Sequence, residues 1–171
     1  MVPVDVPERE AVKNPVFWCV LTPSEKEEAL AVAKRRYEDA EAAGRTDRFG
    51  VGSLHTHELG AMGEMCVRIY LGTKEPLTCN TFQSMPDVAG VEVRTARRMG
   101  MPLRVKPRDA DGTIAVGVNQ ADEDTFVLMG WIRAGDAKKV QAYYDAKPPE
   151  SWCVPVDDLR PLWKLLEGAR V

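Results

Sequence analysis

The chain has 171 residues, 44% of them hydrophobic, and a formal net charge of −3. That is material for one sizeable core, and no stretch nears the ~20 consecutive apolar residues a membrane span requires. A net-acidic chain is not the usual nucleic-acid module, so any DNA contact must come from a local concentration of basic residues.

Residues 1–13 are Pro-rich, charged and aperiodic, and read as a flexible tail ahead of a single domain over 14–171. The opening Met1-Val2-Pro3-Val4-Asp5-Val6-Pro7 lacks the basic region and long apolar run of a secretory signal, so a cytoplasmic location is expected. The four cysteines (Cys19, Cys66, Cys79, Cys153) are scattered with no CxxC. Reduced thiols packed as small hydrophobes are expected, rather than structural zinc or a disulfide framework. Val16 to Leu21 is a short apolar run of strand character. Ser24 and Glu27 then have capping-box spacing for a helix reaching about Ala43, with Leu30, Ala33, Tyr37 and Ala40 on one face and Gly44 ending it. Arg45 to Gly52 is a polar, Gly-containing loop, a candidate mobile segment. His55 and His57 follow; at this spacing they diverge on a helix but converge in an extended segment, where they could meet a metal or a phosphate.

Across Gly60 to Gly72, Met62, Cys66, Ile69 and Tyr70 recur at helical spacing, and Gly72 is placed as a stop. Glu64 lies beside this apolar stripe, where a carboxylate is costly unless paired, protonated or metal-bound. A rim glutamate with a solvated head group is the plainer alternative. Strands are expected at Leu77 to Phe82, Val91 to Ala96, Leu103 to Lys106, Thr113 to Val118 and Phe126 to Ile132. Asp109-Ala110-Asp111-Gly112 reads as a turn joining two of them into a hairpin, and as a calcium-loop fragment only if the missing ligands are ignored. Acidic Asp122 to Asp124 makes the next loop. Helices are expected over Asp136 to Tyr144 and Asp157 to Leu166, and Trp131 and Trp152 read as core anchors. Helices at both ends around a mixed central sheet make the class α+β. The absence of GxxxxGK[ST], GxGxxG and GxSxG disfavours P-loop, Rossmann-cofactor and serine-hydrolase chemistry.

The segment Pro86 to Thr95 carries the densest chemistry. Along a strand Glu92 and Arg94 share a face while Val91, Val93 and Thr95 share the other. Asp87 precedes them across a bend at Gly90, placed to share a cation with Glu92. Two hard oxygen ligands beside a guanidinium suit a Mg²⁺- or Mn²⁺-dependent phosphodiester cutter. An edge strand with a polar outer face explains the same residues without chemistry. Directly after it, Arg94, Arg97, Arg98, Arg104, Lys106 and Arg108 form a basic run that a phosphate backbone could meet, or a solvated surface.

A helix with an inward Glu, then Asp, then Glu-x-basic is the order found in the PD-(D/E)XK nuclease superfamily. Asp87 to Thr95 resembles the D…GxELKT run of mismatch-repair nicking endonucleases and related restriction enzymes. The wider frame is similar to a group of uncharacterised phage proteins, over roughly residues 52–163. It includes Gly63-Glu64, Asn80-Thr81-Phe82, Leu103 to Asp109, Gly130-Trp131-Ile132, Ala137-Lys138 and Trp152 to Pro155. The resemblance implies a restriction-endonuclease-like fold and a DNA-cleaving hydrolase in the cytoplasm of an infected host, with Glu64, Asp87, Glu92 and Arg94 as catalytic residues. It implies Mg or Mn held by Asp87, Glu92 and Glu64, and DNA met by Arg97, Arg98, Arg104 and Lys106. A homodimer is allowed. Arg94 stands where the superfamily usually has Lys; it supplies charge but cannot act as a base. The other readings are a non-cutting relative that binds DNA or a host protein, and an accessory phage protein acting through protein contact alone.

Overall fold

The computed structural model of the chain describes residues 15–44, 54–79 and 86–168. The expected tail at 1–13, the loop at 45–52 and the Asn80-Thr81-Phe82 motif lie outside these residues. The class is α+β: a mixed four-stranded sheet with helices on one face and a second, three-stranded sheet on the other. Among the described residues no helix is long and apolar enough to cross a membrane.

β1 (Phe17–Val20) leads into α1 (Pro23–Ala42). The capping box lies two residues earlier than Ser24 and Glu27: Glu25 N donates to Thr22 Oγ1, and the Glu25 carboxylate accepts from the Thr22 backbone N–H at 2.8 Å. Pro23 decides this. It has no N–H to be capped and its fixed φ suits the first helical position, so the helix begins before Ser24. The buried face is also rotated from the expected one. It consists of Ala29, Val32, Ala33 and Arg36, whereas Leu30, Tyr37 and Ala40 are half-exposed.

α2 (Leu54–Leu71) is more deeply buried than a single stripe implies, with every residue from Ala61 to Val67 in the core. His55 and His57 lie within its first turn, so their spacing makes them diverge. His55 faces Glu58 at 3.5 Å, and the His57 ring meets Tyr37 edge-on at 6.2 Å. Gly72 stops the helix with φ +67°, as its position suggests. Leu77 to Cys79, the described part of the expected 77–82 strand, form no strand.

β2 (Val91–Ala96) falls where the alternation puts it, and β3 (Leu103–Val105), β4 (Ile114–Gln120) and β5 (Thr125–Arg133) are close to their expected bounds. The sheet order is β1-β5-β4-β2, with β2 parallel to β4 and the other pairs antiparallel. β4 and β5 are covered on both faces, which explains their continuous apolar runs. Phe126, at the hairpin end of the pair opposite Gln120, is fully buried and contributes about 1.5–3 kcal/mol by burial alone. The 109–112 turn forms, with Thr113 N donating to Ala110 O, but makes no hairpin. β3 crosses to the second sheet, order β3-β7-β6, where it pairs with β7 (Ser151–Val154). The true hairpin is β4-β5, around Asp122 to Asp124. The expected helix at 136–144 is split: α3 (Ala134–Lys138), a 3-10 turn at Gln141–Tyr143, then β6 (Tyr144–Asp145). The last helix is shorter, with a 3-10 turn at Val156–Asp158 before α4 (Trp163–Gly168). Pro161 separates the two and has no N–H to carry a helix through.

Trp131 is a buried anchor whose indole N–H donates to Pro161 O at 3.1 Å. Trp152 is half-buried and packs on Tyr144, ring centroids 5.2 Å apart. The four cysteines are free thiols, two of them buried.

Candidate functional site

Glu64 is buried on α2 against β2. The approach is close because position 63 is glycine: a Cβ there would fall 2.0 Å from Thr95 Oγ1. Both Glu64 oxygens are taken by Arg36 of α1, Nη1 to Oε1 at 2.8 Å and Nη2 to Oε2 at 2.7 Å, with the side chains 5% and 7% exposed. Arg36 Nε also donates to Thr78 O at 2.9 Å. Burial pushes the Glu64 carboxyl up, Arg36 pulls it down, and the charges of Asp87 and Glu92 raise it further. A guanidinium that never deprotonates and bonds both oxygens keeps this pair ionic.

Asp87, Glu92 and Arg94 cluster around β2, the edge strand beside β4. The turn between Asp87 and β2 is closed by reciprocal backbone bonds between Val88 and Val91. It aims Asp87 back along the strand, so that Oδ2 accepts from Val93 N at 2.8 Å. Glu92 and Arg94 share a face as expected, and Arg94 Nη1 donates to Glu92 Oε2 at 2.9 Å. Burial first, then the charge of Asp87, raises the Glu92 carboxyl, and Arg94 opposes both. Glu64, Asp87 and Glu92 therefore lie within electrostatic reach of one another. Asp87 Oδ1 and Glu92 Oε1 receive no hydrogen bond from any described residue. Among the described residues no group of three or more His, Cys, Asp or Glu side chains converges as metal ligands. Asp87 and Glu92, each with one oxygen open among the described residues, would by themselves offer a cation two carboxylates, and solvent or substrate would have to complete its shell.

Arg94 bridges. Its Nη2 donates to Asp109 Oδ1 at 2.9 Å, while its buried Nε has no partner. Asp109 Oδ2 accepts from Lys106 N at 2.8 Å, fastening the loop after β3. Lys138 of α3 holds the same loop through Pro107 O at 3.1 Å and through Asp109 O. Lys106 is half-buried, and desolvation, followed by the neighbouring Arg94 and Arg108, pushes its ammonium below the usual lysine range. Of the basic run, Arg97, Arg98, Arg104 and Arg108 are exposed. Arg104 reaches only Ser151 Oγ, at 3.5 Å.

The sequence reading missed Arg36 and Asp109. Arg36 had a signal, since it continues the 29-32-33 spacing of small apolar residues that faces the core. Asp109 was read as a turn former and as the last residue of the Leu103 to Asp109 motif, and no local pattern reveals that its far oxygen meets Arg94. Compared with protein-family models, curated proteins and solved structures, the chain matches none.

Proposed function

We propose that the chain cleaves phosphodiesters of DNA with Mg²⁺ or Mn²⁺ bound by Asp87 and Glu92. The supporting observation is that each of these carboxylates has one oxygen tied down and the other without a partner among the described residues, while burial and then repulsion from Asp87 raise Glu92. Such a pair gains from a shared cation, which relieves the repulsion. When bound, the ion would lower the pKa of an attacking water and offset charge on the phosphate. Val93 N–H fixes the orientation of Asp87. Arg94, held on one side by Asp109, can turn its other nitrogen from Glu92 to a phosphate oxygen and stabilise the charge of the transition state. Lys106 adds positive charge beside Arg94. Glu64, with both oxygens on Arg36, acts in this scheme by positioning α2 against β2. Arg97, Arg98 and Arg104 meet the flanking backbone.

One observation favours a second reading, a relative that binds DNA or a host protein without cutting. Arg94 is committed to two carboxylates and must break one ion pair to reach substrate. The two readings separate in one assay. Linear, circular and single-stranded DNA are incubated with Mg²⁺ or Mn²⁺, beside an Asp87→Ala/Glu92→Ala control. Cleavage that the control lacks supports the enzyme. Intact DNA with retention in EDTA, weakening as salt rises, supports the binder. Mn²⁺ at a hundred times its dissociation constant should stabilise the native state by about 2.7 kcal/mol, and not the Asp87→Ala variant. An unchanged melting temperature at millimolar Mn²⁺ counts against the cation site.

A further inference from the structure

Between β2 and β3 the chain passes from one sheet to the other through Arg97-Arg98-Met99-Gly100-Met101-Pro102. Met99 and Met101 are 44% and 39% exposed, among the few large apolar side chains left in water. Arg97 and Arg98 are exposed beside them, and Arg104 and Arg108 lie just beyond. None of these four arginines forms an ion pair among the described residues, whereas Arg68, Arg94 and Arg160 all do. Gly100 adopts φ +77°, which makes the turn sharp. Both feet of the loop are fastened to one residue. Ala96 pairs with Asn119 in the parallel ladder, and the buried Asn119 side chain donates to Met101 O at 3.4 Å.

A short, anchored turn with an apolar tip between unpaired guanidinium groups is built to enter something both anionic and apolar within. We propose that this turn is a minor-groove wedge for duplex DNA: Met99 and Met101 enter a base step and Arg97 and Arg98 hold the flanking phosphates. The inference rests on the DNA-directed reading above and deepens it. Methionine has no ring on which a single-stranded base could stack, so its gain comes from separating bases already stacked in a duplex. Arg97 follows Glu92 by five strand steps, about 17 Å at the rise of an extended chain. The kink would thus fall roughly five base-pair steps from the phosphodiester held at Asp87 and Glu92, each step rising about 3.4 Å. Because flexible pyrimidine–purine steps cost least to unstack, the protein would prefer DNA with TA or CA at that distance without reading a base edge.

The test uses the full chain and duplexes with 2-aminopurine scanned through successive steps, in EDTA, with binding followed by anisotropy. The wild type should raise 2-aminopurine fluorescence at one step. Met99→Ala/Met101→Ala should abolish that rise and keep the salt dependence, and Met99→Leu should keep both. Arg97→Ala/Arg98→Ala should lower the slope of log affinity against log salt by about two. Thermal melting confirms that these exposed substitutions leave the fold intact. DNA that is bound without a fluorescence rise at any step, or a rise that survives the double methionine variant, overturns the wedge and leaves the DNA reading standing. No binding to any duplex, with or without capture by phosphatidylserine vesicles, overturns both.

Discussion

Two arginine–carboxylate clusters lie on opposite faces of β2, and they differ in how completely they are closed. Between the helices, Arg36 and Glu64 satisfy each other through two parallel bonds with almost no solvent contact. Between the sheets, Arg94 divides itself between Glu92 and Asp109, and among the described residues its Nε has no partner and one oxygen of Glu92 is left over. The first arrangement has nothing left to offer a ligand and holds α1 to α2. The second keeps unspent hydrogen-bonding capacity near a carboxylate whose charge is already resisted. Equal residue types in one small region thus divide into a fastening and a candidate site by the number of contacts left open.

The comparison breaks most clearly at Arg36. Arg36→Ala strands a buried carboxylate and should cost about 3–5 kcal/mol in urea unfolding, whereas Arg36→Met/Glu64→Leu should recover most of that loss. A single variant as stable as wild type would show that the pair holds nothing. Next in size is the spacer between the clusters. Gly63→Ala drives a methyl group into Thr95 and should cost roughly 1–3 kcal/mol, and adding Thr95→Ala should restore part of it, a coupling that a double-mutant cycle reads.

The open cluster should respond the other way. Glu92→Gln should cost at most about 1 kcal/mol, as a partly exposed ion pair does, yet remove all stabilisation by Mn²⁺. A Glu92 variant that melts far below wild type would make this pair a second fastening. The smallest effect concerns pH. A carboxyl raised in the folded state contributes stability that is fully present below its unfolded value, ~4.3, and is lost as pH rises through the folded value. Burial and Asp87 raise Glu92, so without metal the wild type should gain on Glu92→Gln as pH falls from 7 toward 4.5. A gap that widens as pH rises would reverse the sign and remove the repulsion argument.

What could be read in advance follows the range of the interaction. β2 was legible because its alternation is local, and Gly72 because a helix stop needs only itself. The pairing of Glu92 with Arg94 follows from the same two-residue period. The partner of Glu64 comes from 28 residues upstream, on a helix whose apolar face is drawn in alanines too weakly to fix its rotation. The hairpin expected between β3 and β4 failed because a turn signal states that the chain reverses and not which sheet receives the next strand. Asp109 acquires its second role only through that crossing.

β1 has a different consequence. Its one neighbour in the sheet is β5, and the nearest pair, Val20 with Thr125, is 105 residues apart in the chain. Contacts of such sequence separation form late, since the entropy of closing the loop must be met before the pairing rewards it. During synthesis β1 leaves the ribosome with α1 and α2 and must wait for the last strand of the sheet before it can pair. Any truncation short of that strand leaves β1 without its sheet partner. Pairing of β1 therefore waits until β5 has been made, and the interval before it is when the chain is most open to aggregation and proteolysis.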